Sequence, residues 1–142
     1  MKKPGASYYD GSACHLDLVQ WATDPVWGQL PPPEKAKLID ADLCFLDRQL
    51  SREKIRILLL NGSGIVKGYS ERLGVKLMEH SSLAFGRVRF LAGSDSRGLI
   101  VIGWNINLRT NRASNLEMET IGETVRKTAT QMKDMRIGGA LI

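Results

Sequence analysis

Three stretches of this 142-residue chain bring together side chains that could do chemistry. His15 and Asp17 stand two apart, and on a strand that spacing puts both on one face with α-carbons about 7 Å apart. Such a pair suits general-base work or the reading of a base edge. It suits a polar strand end that bonds to backbone equally well. The second stretch is Asn61-Gly62-Ser63-Gly64-Ile65-Val66-Lys67-Gly68. Glycines let backbone approach an anion and a following helix aims its free N–H groups at it, which makes Gly62, Ser63 and Gly64 a candidate phosphate turn. The pattern is neither GxGxxG nor GxxxxGK followed by Ser or Thr, so a tight strand-to-helix turn explains it too. The third stretch, Trp104 to Arg112, carries Asn105, Asn107 and Asn111 with Arg109 and Arg112 and no acid. Amides can read base edges and arginines can neutralise phosphates. The alternative is a solvated loop whose asparagines make turns.

Other chemistries lack a pattern. No Ser/His/Asp or Cys/His nucleophile has recognisable local context. Cys14 and Cys44 have no CxxC spacing and no companion histidines, so neither a metal nor a cofactor is expected, and reduced core thiols are the simplest reading. His80, in Glu79-His80-Ser81-Ser82, reads as a surface loop residue. Trp21 and Trp27 flank a proline-constrained loop, where burial against the fold is expected; exposed, they could stack on bases.

The elements that must position these residues follow from periodicity. Residues 1–12 form an irregular lead-in. Cys14, Leu16 and Leu18 alternate with His15 and Asp17, which predicts a first strand over Ala13 to Gln20. Asp24-Pro25 and Pro31-Pro32-Pro33 make residues 21–33 a loop. From Pro33, apolar residues Ala36, Ile39, Leu43, Leu46 and Leu50 keep helical spacing, while Lys35, Lys37, Asp40, Asp42, Asp47 and Arg48 take the other face. Ile55 to Leu60 reads as a central parallel strand buried on both sides. A short helix follows with Ile65, Tyr69 and Leu73 inward, closed by Gly74. Val75 to Met78 is a candidate short strand. Arg87 to Ala92 and Leu99 to Trp104 flank a Gly-Ser-Asp loop, as in a hairpin. Ser114 and Glu117 form a capping box opening a last helix with Met118, Ile121, Val125, Thr128, Met132 and Met135 inward.

This order predicts one α/β domain over residues 1–142, a three-layer α/β/α sandwich with a mainly parallel central sheet. Hydrophobic residues make up 43% and charged residues 25% of the chain, ordinary globular usage. No apolar run approaches a membrane span. Met1 to Gly5 is basic without the apolar stretch of a secretory signal, so a cytoplasmic location is the default expectation. A net charge of +5 favours an anionic partner.

The succession of segments resembles the later two-thirds of the uracil-DNA glycosylase superfamily, over roughly residues 13–135. Leu16-Asp17-Leu18-Val19 resembles the strand carrying the base-reading asparagine, with Asp17 at that position. Leu43-Cys44-Phe45-Leu46 resembles the helix of the iron–sulfur branch, although one cysteine does not make a cluster. Ile57-Leu58-Leu59-Leu60-Asn61-Gly62 resembles the aliphatic strand ending in glycine. Ile102-Gly103-Trp104-Asn105-Ile106 falls where the family runs into its His-Pro-Ser loop. That histidine is replaced here by Trp or Asn, and nothing upstream of Asp17 resembles the family's water-activating Gly-x-Asp-Pro loop.

The resemblance implies a glycosylase-like fold lacking its first strand, with a sheet edge that a second copy in a homodimer could cover. It implies a degenerate module that binds DNA or a base-containing ligand without efficient catalysis. Asp17, Asn105 and Asn107 would then line the cleft beside His15, while Arg109 and Arg112 meet phosphates. Two alternatives stand beside it. One is a divergent active glycosylase with Asp17 as acid–base group and Asn105 beside it. The other is a nucleotide-binding or oligomeric α/β module using the Asn61–Gly68 turn.

Overall fold

The structure is a computed structural model that describes residues 12–19, 22–51, 55–80, 86–109 and 112–138. Residues 1–11 of the lead-in, Gln20, Trp21, Asn111 and the side chain of Met135 lie outside the described residues. The chain divides into two compact units, 1–50 and 51–142.

In the first unit, residues 13–19 form no strand. Alternation supplies a period but not a pairing partner, and without one the segment stays irregular. A single 3-10 turn at Trp27–Gln29 leads to helix α1, Pro32–Leu50. Proline suits the first turn because its missing N–H has no intrahelical acceptor there. Leu46 and Leu50 are buried, in keeping with the apolar stripe. Asp42, expected on the polar face, is buried as well. Cys14 and Cys44 are free and exposed, not core thiols, and Trp27 is 37% exposed rather than buried. Its ring instead lies 5.9 Å from the Lys35 ammonium, within cation–π range.

The second unit holds β1 (Ile57–Asn61), α2 (Ser63–Leu73), β2 (Met78–Glu79), β3 (Phe90–Ser94), β4 (Ile100–Trp104) and α3 (Asn115–Gly138). The sheet is four-stranded and open, in the order β1-β4-β3-β2. Only β1 and β4 run parallel; β4 with β3 and β3 with β2 are antiparallel. The expected mainly parallel sheet is therefore corrected. A parallel pair needs a crossover, and the chain makes one, whereas β3 and β4 are joined by a short turn. The position of β1 is corrected too. It is parallel but at the edge, and Leu59 on it is 47% exposed.

The most enclosed strand is β4, all five of whose residues are buried. Each large side chain there contributes on the order of 1.5–3 kcal/mol by leaving water. Trp104 clusters with Val88, Phe90, Ile106 and Ile121; Ile100 and Ile102 cluster with Ala92 and Ala129. Val125 of α3 packs against both clusters. Met118, one turn from the start of α3, is exposed rather than in the stripe. Gly103 admits α2: a Cβ there would lie 2.7 Å from Val66 Cγ2. Gly74 closes α2 in the left-handed conformation, as its position predicts.

Candidate functional site

The carboxyl ends of the parallel pair β1 and β4 are where α/β folds most often hold ligands. Two loops leave from there. After β1, Gly62 adopts φ 102°, ψ 150°, a conformation that is essentially glycine's alone. A Cβ at this position would also stand 3.3 Å from Asn107 Cβ. The turn is bonded to the other loop, since Gly62 N–H donates to Trp104 O and Ser63 N–H to Asn105 O, each at 3.1 Å. Ile65 and Val66 N–H return to Gly62 O. Among the described residues, only the Gly64 N–H of the donors that open α2 is left without an acceptor. The turn thus lacks the row of free N–H groups that cradles a phosphate.

After β4, the amides serve the backbone. Asn105 Oδ1 accepts from Arg89 N–H at 2.7 Å and Nδ2 donates to Arg87 O at 3.0 Å. Its own N–H donates to Arg89 O. Asn105 therefore extends the β3–β4 ladder with its side chain. Asn107 Oδ1 accepts from Arg109 N–H at 3.0 Å, an Asx turn. Asn61 Oδ1, from the end of β1, accepts from Trp104 Nε1–H and Leu108 N–H, both at 3.0 Å. The loop is thereby pinned at residues 105, 107 and 108.

Arg109 directly follows the pinned residues, and Arg112 stands three further along the chain. Both are exposed, and no ion pair engages either among the described residues. Arg112 has φ 45°, unusual for a residue with a side chain. At the far end of the loop, Ser114 and Glu117 form the expected capping box: Ser114 N–H donates to Glu117 Oε2 at 2.8 Å, and Glu117 N–H to Ser114 Oγ at 3.2 Å. Glu117 is also gripped by Arg87, with Nε 2.8 Å from Oε1 and Nη2 3.3 Å from Oε2. Hydrogen bonds from the Arg87 guanidinium, then from the Ser114 backbone, hold the Glu117 carboxyl down to about 2. The same pairing raises Arg87 above its ordinary value.

On the opposite end of the hairpin, Asp95 organises the turn into β4. Its carboxylate accepts from the backbone N–H of Arg97 and Leu99 and from Arg97 Nε. Burial alone would raise its pKa; the hydrogen bonds from Arg97 and Leu99 outweigh that and lower it.

His15 and Asp17 belong to the first unit. They do meet, Nε2 to Oδ1 at 3.2 Å, but on an irregular segment with side chains 75% and 65% exposed. His80 is exposed, as expected of a loop residue. Among the described residues no group of three or more His, Cys, Asp or Glu could hold a metal ion, and no helix is long and apolar enough to cross a membrane.

Two features escaped sequence reading. One is an open groove of about 350 Å³ beside α2, walled by Val66, Leu77 and Leu91 with Ser63, Ser70 and Asn105 among its polar groups. The other is the double duty of Asn61 and of Glu117, whose partners lie in distant segments and leave no local signal. Comparison with protein-family models, curated proteins and solved structures gives no match to this chain.

Proposed function

We propose that this chain is a uracil-DNA-glycosylase-like module that binds nucleic acid, or another base-containing ligand, without efficient base excision. The observation that carries the reading is the segregation of charge. Residues 51–142 hold fifteen Lys and Arg against eight Asp and Glu, a net +7, whereas residues 1–50 hold five against seven, a net −2. Two of those cations, Arg109 and Arg112, are exposed, and Arg109 directly follows the segment that Asn61, Asn105 and Asn107 hold at the carboxyl end of the parallel pair. Exposed guanidinium groups with no ion pair among the described residues suit phosphates, whose oxygens they can meet with two N–H groups at once.

Binding is favoured over catalysis because both ends of the Asn105 amide are occupied by backbone. Asp17 meets His15 on an irregular segment with both side chains largely exposed. The nucleotide-turn alternative is weakened by the bonded N–H groups of Gly62 and Ser63. A three-layer arrangement is part of the same reading. It is supported within the second unit by Val66 of α2 meeting Gly103, while Ile121 and Ala129 of α3 meet the side chains of Trp104 and Ile102, whose alternation puts them on the other face.

The test is binding to single-stranded DNA, with and without one uracil, titrated across salt. The log–log slope for the wild type should exceed that of an Arg109→Ala/Arg112→Ala variant by about 1.4, two phosphate contacts at about 0.7 each. An unchanged slope removes the arginines from the interface. Release of free uracil by the wild type would turn the reading to an active glycosylase.

A further inference from the structure

The side chain of Asn61 has two polar ends, and only one of them is engaged among the described residues. Its Oδ1 receives two N–H donors, Trp104 Nε1 and Leu108 N, each at 3.0 Å. An amide turned the other way would face those donors with its own N–H groups, so the arrangement fixes which end is oxygen. The Nδ2 end is then fixed as well. It meets no acceptor among the described residues, and it is not one of their enclosed, unsatisfied polar atoms. A directed pair of N–H donors, not fully enclosed and on a half-buried residue, therefore lies at the carboxyl end of the parallel pair, bonded through its oxygen to Leu108, the neighbour of Arg109.

We propose that Asn61 Nδ2 reads a carbonyl oxygen of a base in a bound single strand, while Arg109 and Arg112 hold that strand's phosphates. This rests on the nucleic-acid reading above. A neutral amide of fixed orientation contributes direction rather than charge, which suits the in-plane acceptors of a base edge. Phosphates are already matched by the two arginines. The glycosylase resemblance puts base reading at Asp17, in the first unit, so Asn61 is a separate assignment made on the bonds of this chain.

The experiment compares oligo(dT) with an abasic strand of equal length and charge at one salt concentration, for the wild type and for Asn61→Asp. Aspartate keeps an oxygen for Trp104 and Leu108 but replaces the donor with an acceptor. The wild type should prefer oligo(dT) by about 3- to 10-fold, the range of one net hydrogen bond, and Asn61→Asp should lose that preference. The added negative charge weakens both strands alike and cancels in the ratio. A retained ratio in a variant whose near-ultraviolet circular dichroism matches the wild type, or a wild type without preference, overturns the role of Asn61 and leaves the arginine reading standing. Failure of the wild type to bind either strand overturns both. Should the variant not fold, the Asn61 side-chain NH2 resonance of the wild type decides. A shift with oligo(dT) and not with the abasic strand supports the assignment; a shift common to both, or none, overturns it.

Discussion

The two loops at the carboxyl end of the parallel pair are built from similar residues and end in opposite states. The turn after β1 has Asn, Gly, Ser and Gly, the composition of an anion cradle, yet its N–H groups are bonded to Trp104 O, Asn105 O and Gly62 O. The loop after β4 is rich in Asn and has no glycine between Trp104 and Arg112, yet it carries two exposed cations with no ion pair among the described residues. The first loop gives its donors away to hold the second in place. Small, permissive residues thus mark the support here, and the bulky polar segment marks the presenting surface.

Three substitutions would break or sharpen that contrast. Gly62→Ala should have the largest effect, destabilising the fold by about 1–3 kcal/mol, because φ 102° is closed to a residue with Cβ and Asn107 fills the space. Chemical denaturation measures this, and an alanine variant as stable as the wild type would undo the account of the turn as a support. Asn105→Ala removes the acceptor for Arg89 N–H and the donor to Arg87 O. It should cost roughly 1–2 kcal/mol, at about 0.5–1.5 per hydrogen bond. DNA affinity should fall with it, since one end of the arginine loop is released. Affinity unaltered alongside lost stability would separate the ladder from the loop.

Glu117→Gln is the smallest and the most specific. The folded Glu117 carboxyl sits at about 2 against an ordinary 4.5, a depressed value. Its stabilisation is therefore complete above the ordinary value and is lost as pH falls through about 2. Melting temperature followed downward from pH 5 should drop less steeply for Glu117→Gln than for the wild type, and the two should converge at the acid end. Parallel curves would mean that the Arg87 pairing contributes nothing, the usual outcome for a loose surface pair.

Much of the fold was legible. The stripe of α1, the Ser114–Glu117 cap of α3, the β3–β4 hairpin and the left-handed Gly74 each have a local cause, and each is present. Pairing partners were not legible. An aliphatic run such as Ile57–Leu60 reads as buried on both faces, but whether it is central or marginal depends on strands elsewhere in the chain. Alternation at Ala13–Leu18 carried no strand for the same reason. At the candidate site, Arg109 and Arg112 could be singled out by type and position. The work of Asn61, Asn105 and Glu117 could not, because it depends on acceptors and donors 16 to 47 residues away.

The edge position of β1 also has a consequence for how the sheet closes. β3 and β4 are closed by residues 95–99, whereas β1 reaches β4 only across residues 62–99. Loop-closure entropy grows with the logarithm of loop length, so the longer closure costs about 2 kcal/mol more than the hairpin. The expected order is that the hairpin closes first and β1 docks onto it afterwards. Conservative truncations should report this as slowed folding at Ala92 and as faster unfolding at Leu60. The bonds that tie the turn after β1 to Trp104 and Asn105 need that docking, so a chain with only the hairpin formed lacks them.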